Sequence, residues 1–127
     1  MADAKRILIV DDARLVRAYY RSILEKRGYV IDEALNGLEA LEKLLLAPFD
    51  LLIVDINMPK MDGLTFLRTL RTSDAAIAGL PAMVTSTEAR SEDKDAARAA
   101  GANFYLVKPI PEDVLGRHVD LLTGMLP

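Results

Sequence analysis

Short aliphatic runs alternate with amphipathic stretches along the whole chain, and this alternation restricts the fold more than any single residue does. The runs are Arg6–Val10, Tyr29–Ala34, Leu51–Val54, Pro81–Val84 and Asn103–Val107. Each is brief, apolar and bounded by turn residues, the signature of a buried strand. Between them Ala13–Lys26, Leu38–Leu46, Leu64–Thr72 and Ser91–Ala100 carry helical spacing, and Glu112–Met125 closes the series. Gly28, Gly37 and Gly101 fall at helix ends or turns, and Pro111 stands where a first helical turn begins. Strands that are apolar on both faces and alternate with helices predict an α/β fold. The expected form is a doubly wound parallel sheet of five strands with five helices. Right-handed crossovers leave few topologies. The strand order 2-1-3-4-5 brings the first and third strands together at the crevice where the winding reverses.

One domain covering residues 1–127 is expected from the length. A charged fraction of 28% beside an ample apolar fraction fits a soluble globular chain. No apolar run approaches the length a bilayer demands. The polar start, Met1 to Arg6, lacks the apolar core of a signal peptide, so the cytoplasm is the default compartment. With no cysteine, disulfides and thiolate metal sites are excluded. A net charge of −3 argues against a broad nucleic-acid surface.

Charged residues gather where the strands end. Asp11 and Asp12 follow the first strand, Asp55 follows the third, and Lys108-Pro109 follows the fifth. In an open α/β sheet these ends share one edge, the edge at which ligands bind. Three close carboxylates repel, each pair by about 4 kcal/mol at 4 Å and an effective dielectric near 20. Binding a cation relieves that repulsion. Oxygen ligands without His or Cys favour a hard divalent ion, Mg²⁺ before Zn²⁺. A carboxylate beside such an ion can attack phosphorus and form an acyl phosphate. The transferring group needs cations and donors around it. Lys108 can supply a charge, Thr85 a hydroxyl after the fourth strand, and Ser86 a backbone N–H.

Each piece has a plainer explanation when taken alone. Asp12 can cap the helix starting at Ala13. Lys108-Pro109 can be a turn, Thr85 a loop hydroxyl, and Asp55 a strand-end turn residue. Their joint appearance in this order favours a phosphoryl-acceptor site.

These residues resemble the receiver domain of two-component response regulators, similar to single-domain chemotaxis-type (CheY-like) regulators. The resemblance runs from Ile7 to the last helix. It rests on Val10-Asp11-Asp12, Asp55-Ile56-Asn57-Met58-Pro59-Lys60-Met61-Asp62-Gly63, Thr85-Ser86 and Tyr105-Leu106-Val107-Lys108-Pro109. It implies a flavodoxin-like fold and a phosphoacceptor, Asp55, served by the phosphohistidine of a sensor histidine kinase or histidine phosphotransfer protein. It also implies Mg²⁺ held by Asp12, Asp55 and the Asn57 carbonyl, with Asp11 helping through water. Thr85 and Lys108 then contact the phosphoryl group. Thr85 moves inward, and Tyr105 swings from exposed to buried. The surface of the fourth helix, fifth strand and fifth helix changes its affinity for a downstream protein. A cis Lys108–Pro109 peptide is expected on the same ground. Asn57 and Thr87 flank the site and can tune phosphoryl lifetime.

The first helix bears a wide apolar arc of Leu15, Val16, Tyr19, Tyr20, Ile23 and Leu24. Leu15 and Tyr19 are candidates for docking a kinase or phosphotransfer helix. The last helix carries one stripe of Leu115, Val119, Leu122 and Leu126 and another of Val114, Leu121 and Met125. The second stripe could serve a dimer or a target.

The expected protein is therefore a phosphorylation-switched regulator, not a turnover enzyme, acting through protein contact as a chemotaxis-type regulator or phosphorelay intermediate. The alternative is a receiver fragment of a larger response regulator or hybrid kinase. Neither nucleic acid nor membrane is an expected partner, and monomer and phosphorylation-dependent dimer both stay open. An aspartyl phosphohydrolase of the haloacid-dehalogenase kind would need an acid where Asn57 stands. A flavodoxin-like cofactor binder would need a phosphate loop where Asp11-Asp12-Ala13-Arg14 stands.

Overall fold

The computed structural model describes residues 4–125, so Leu126 of the last-helix stripe lies outside the described residues. Five parallel strands, β1 (Arg6–Val10), β2 (Val30–Ala34), β3 (Leu51–Asp55), β4 (Ala82–Ser86) and β5 (Phe104–Val107), form one sheet in the order β2-β1-β3-β4-β5. Among the described residues five helices connect the strands and a sixth follows β5: α1 (Arg14–Lys26), α2 (Gly37–Leu46), α3 (Gly63–Arg71), α4 (Ala75–Ala78), α5 (Ser91–Ala100) and α6 (Glu112–Thr123). The strand order is the expected one, and the five expected helices are present as the five long ones, with one short helix beside them. The short α4 is a single turn between α3 and β4 that carries no apolar periodicity to announce it. The expected fourth and fifth helices are thus α5 and α6.

Side-chain alternation along the strands divides the core in two. Leu8, Val10, Leu52, Val54, Ala82 and Val84 pack with α2, α3 and α5. Ile7, Ile9, Leu51, Ile53 and Met83 pack with α1 and α6. The sheet is buried on both faces, as a parallel sheet must be.

Helix ends follow local chemistry. Asn36 accepts from the Glu39 amide and caps α2, and Asp62 accepts from the Thr65 amide and caps α3. Gly124, in the left-handed region at φ 74°, stops α6 at Thr123 rather than at Met125. Arg71 ties the far edge together. It donates to the carbonyls of Gly101, Ala78 and Leu80 at 2.6–3.1 Å, joining the end of α3 to the loops before β4 and β5. Among the described residues no helix is long and apolar enough to cross a membrane.

Candidate functional site

The register of the central strands assembles the site. Asp55 is the last residue of β3 and pairs with Thr85 of β4, while Val10 pairs with Val54 and so sets Asp11 beside Asp55. Thr85 and Ser86 were expected to follow the fourth strand, yet both lie within it. The parallel ladder with β3 continues to Asp55–Thr85 and draws them in.

Asp11, Asp12 and Asp55 each bring a carboxylate oxygen to within 4.8 Å of the others. Asp11 and Asp55 are buried and Asp12 is exposed. Lys108 reaches across from the end of β5, with Nζ 2.9 Å from Asp11 Oδ2 and 3.1 Å from Asp55 Oδ1. Burial, then the neighbouring Asp11, raises Asp55 above the usual carboxylate range, although Lys108 pulls the other way. For Lys108 burial works downward, but its bond to Asp11 and the charges of Asp11 and Asp55 outweigh it and raise it overall. Its ammonium is therefore held charged between two acids.

Asp12 does not cap the first helix. That helix starts at Arg14, its N-cap Ala13 makes no side-chain cap, and the Ala13 amide donates to Asp11 Oδ1 at 2.8 Å. The Asp12 carboxylate is left for the acidic cluster. The three acids fit a small hard cation, since every donor atom is oxygen and two of the groups are shielded from water. Asn57 is exposed in the loop after β3, at the same strand end. Thr85 Oγ1 is buried and has no hydrogen-bond partner among the described residues. Thr87, also exposed, lines the groove beside Lys108.

The loop after β3 folds back hard on the acceptor strand. Gly63 N–H donates to the Ile56 carbonyl at 2.9 Å. A Cβ on Gly63 would stand 2.3 Å from the Asp55 carbonyl oxygen. Glycine at this position lets the first turn of α3 abut the backbone that carries Asp55. Lys60, with φ 67°, is a non-glycine residue in the left-handed region of the same loop. The Lys108–Pro109 peptide is cis.

Tyr105 is half-buried, and its hydroxyl donates to the Glu88 carbonyl at 2.8 Å. Alternation places it against the α5-side core, opposite the acids. A space of about 270 Å³ beside it is bounded by Ile56, Leu64, Ser86 and Ala96. Leu15 is 84% exposed and Tyr19 is 42% exposed. Both line a groove of about 390 Å³ with Val16, Lys108, Pro109 and Ile110. The Tyr19 hydroxyl is already engaged, donating to the Ile110 carbonyl at 2.8 Å. On α6, Leu115 and Val119 are buried and Leu121 is exposed, as is Met125 beyond the helix end.

Two neighbours of the site escaped the sequence reading. Arg17 donates from Nη1 to the Asp11 carbonyl and from Nε to Glu33, fixing the end of β1. Tyr20 reaches the same region from α1 and is buried. Its place in an apolar stripe gave no hint that it lines the groove beside Lys108.

A family model for the response regulator receiver domain matches residues 7–120. The gliding motility regulatory protein of Myxococcus xanthus is 38% identical over 119 residues, which cover 93% of this chain and 15% of that protein. Sensor protein EvgS of Escherichia coli K12 is 37% identical over 116 residues, 91% of this chain and 9% of the sensor. The chain thus spans a small part of these relatives. Among solved structures, the chemotaxis protein CheY4 of Vibrio cholerae superposes with a TM-score of 0.89 at 32% identity, covering 94% of this chain and 99% of that one. The signal receiver domain of a signal transduction histidine kinase from Syntrophus aciditrophicus gives 0.88 at 32% identity, covering 97% and 92%.

Proposed function

The chain belongs to the response regulator receiver domain family, and on that premise we propose that Asp55 accepts a phosphoryl group from phosphohistidine. The observation that carries this reading is the convergence of Asp11, Asp12, Asp55 and Lys108 at one sheet edge, beside the unpartnered hydroxyl of Thr85. In the proposed step an Asp55 carboxylate oxygen bonds to phosphorus as the P–N bond breaks. The bonding pair leaves with the imidazole nitrogen, and Asp55 becomes an acyl phosphate.

Charge on the transferring oxygens must be met by fixed donors. Lys108 stands ready with its ammonium, and Thr85 has a proton to give. Asp11, Asp12, Asp55 and the Asn57 carbonyl are the groups that would hold Mg²⁺. Such an ion, when bound, would supply positive charge to offset that of the acids and of the transferring group. Asp11 keeps Lys108 in place from its far side.

Tyr105 is the proposed switch. Its bond to Glu88 holds the loop between β4 and α5, and the space beside it leaves room for the ring to turn inward. Altered packing on α5, β5 and α6 would then change affinity for a downstream protein, a local charge event read by a two-state element. We place the donor's helix in the groove at Leu15 and Tyr19, which borders Lys108 and so opens beside the acceptor. A sensor kinase or phosphotransfer protein is the donor class. A single-domain regulator acting by protein contact is favoured by the likeness to the CheY4 chain, 99% of which is covered. Membership in a longer regulator or hybrid kinase is favoured instead by the small share of EvgS that is matched. The intact mass of the protein isolated from its own cells decides between these.

The chemistry is tested by incubating the protein with acetyl phosphate and Mg²⁺ and weighing it intact, beside Asp55→Asn and an EDTA control. Gain of one phosphoryl group only with Asp55 and Mg²⁺ is the expected result. No gain from acetyl phosphate, no released phosphate and no gain from a phosphohistidine donor would sink the reading.

A further inference from the structure

Arg17 is a cation beside the site that the phosphoryl chemistry leaves unused, and its side chain is only 11% exposed. It stands at the end of the first turn of α1. Helical side chains lean toward the helix N-terminus, so Arg17 reaches back over the start of α1 to the end of β1. Its guanidinium joins two strands. Nη1 donates to the Asp11 carbonyl at 2.8 Å, and Nε donates to Glu33 Oε1 at 2.7 Å. Glu33 lies on β2, level with Ile9 of β1. Its other oxygen accepts from Arg21 Nε at 2.7 Å. Arg21 is four residues beyond Arg17, so one face of α1 grips Glu33 with both arginines.

What Arg17 holds is a peptide plane. The Asp11 carbonyl and the Asp12 amide belong to one rigid unit, so fixing that carbonyl sets the direction in which Asp12 leaves the strand. The other groups of Asp11 are tied as well. Its amide donates to the Ala34 carbonyl at 3.1 Å, Oδ1 accepts from the Ala13 amide at 2.8 Å, and Oδ2 accepts from Lys108 at 2.9 Å. Asp12 is exposed, so its backbone is what aims it at Asp11 and Asp55. A planar fork can serve a carboxylate and a carbonyl at once, which an ammonium cannot match. By charge alone an arginine here repels a second cation. Geometry, not charge, accounts for its place beside the acids.

We propose that Arg17 is a positioning residue for the cation site: anchored by Glu33, it fixes the Asp11–Asp12 peptide so that both carboxylates stand ready for Mg²⁺. This rests on the Mg²⁺ reading of the acids given above. Positioning and charge carry opposite signs. Loss of positioning weakens Mg²⁺ binding, whereas loss of a nearby positive charge by itself strengthens it.

The test is the Mg²⁺ affinity of the full chain with no phosphoryl donor present, read from amide NMR shifts during a titration with MgCl₂ at constant ionic strength. The wild type is compared with Arg17→Met, Arg17→Lys and Arg71→Met, each first shown to melt cooperatively. Removing a partner that orients metal ligands predicts affinity about tenfold weaker in Arg17→Met. Arg17→Lys keeps the charge and loses the fork, so it should be weakened too, and it decides alone if Arg17→Met does not fold. Arg71→Met loosens the far edge of the fold and should bind Mg²⁺ as the wild type does. Unchanged or tighter binding in Arg17→Met overturns the proposal, as does full affinity in Arg17→Lys. Equal weakening in Arg71→Met also overturns it, by tracing the effect to general loss of stability. A wild-type chain whose amides show no saturable Mg²⁺ shifts overturns the Mg²⁺ reading itself and this proposal with it.

Discussion

Replacing Asp55 by Asn should make the protein more stable, although it removes the group on which the chemistry turns. Lys108 Nζ lies 3.1 Å from Asp55 Oδ1. That attraction is about 5 kcal/mol at an effective dielectric near 20. Against it, the acids bring their oxygens within 4.8 Å of one another. Repulsion from buried Asp11 comes to about 3.5 kcal/mol on the same scale, and exposed Asp12 adds about 1 kcal/mol at the dielectric of water. These terms cancel to within about 1 kcal/mol. The sign then falls to desolvation of the buried carboxylate, which costs several kcal/mol. Burial is also the largest reason that Asp55 lies above the usual carboxylate range. Asn keeps an oxygen that can accept from Lys108 and sheds the buried charge. The net gain at pH 7 without divalent ions should be about 1–2 kcal/mol, or roughly 3–8 °C in melting temperature for a chain of this size.

The pH dependence has a definite sign. Between the ordinary carboxylate value and the raised one, folded Asp55 holds more proton than unfolded Asp55, so stability falls as pH rises through that interval. The advantage of Asn is therefore complete above the raised value and disappears as pH falls to the ordinary value and below. Thermal melts of both proteins in EDTA, from pH 7 down to pH ~3, read this directly. An Asn variant melting at or below the wild type at neutral pH would refute the reasoning, by showing that the Lys108 pairing outweighs burial.

Other outcomes follow from the same contacts. Gly63→Ala drives a methyl group into the Asp55 carbonyl and should cost about 1–3 kcal/mol in urea unfolding, with slower phosphoryl uptake. Arg71→Met strips the donors from the carbonyls of Gly101, Ala78 and Leu80. It should cost about 2–4 kcal/mol, seen as a lower urea midpoint. Leu15→Asp changes an 84% exposed side chain and should move stability by no more than about 0.5 kcal/mol. It should slow transfer from a phosphohistidine protein about tenfold more than uptake from acetyl phosphate, and equal slowing by both donors would argue against the docking groove.

The fold was legible because strand and helix periods alternate so regularly, and because parallel strands buried on both faces leave unmistakable aliphatic runs. The gathering of Asp11, Asp55 and Lys108 was legible too, since C-terminal strand ends share an edge whatever the loop details. Other features depend on distances that no spacing encodes. Tyr20 reads as one more apolar residue of a helix stripe, and only the packed helix brings it to the groove beside Lys108. Arg71 reads as a surface charge at a helix end, until the folded loops turn three carbonyls toward it. Asp12 after a strand suggests a cap, but helix α1 begins one residue later than that reading requires. The single turn α4 has too few residues to show a period at all.

The split of the core into two alternating sets ties reactivity to counting. Asp11, Asp55 and Thr85 share the odd-numbered rows with Ile9, Ile53 and Met83, whereas Val10, Val54 and Val84 hold the even rows. One residue inserted early in β3 would turn Asp55 toward α3 and a valine toward Lys108, exchanging both faces at once. Inserting two would restore the facing but shift it by about 6.6 Å along the strand. A library of insertions should thus show loops that accept extra residues and strands that reject even one, with the boundary falling at the carboxylates.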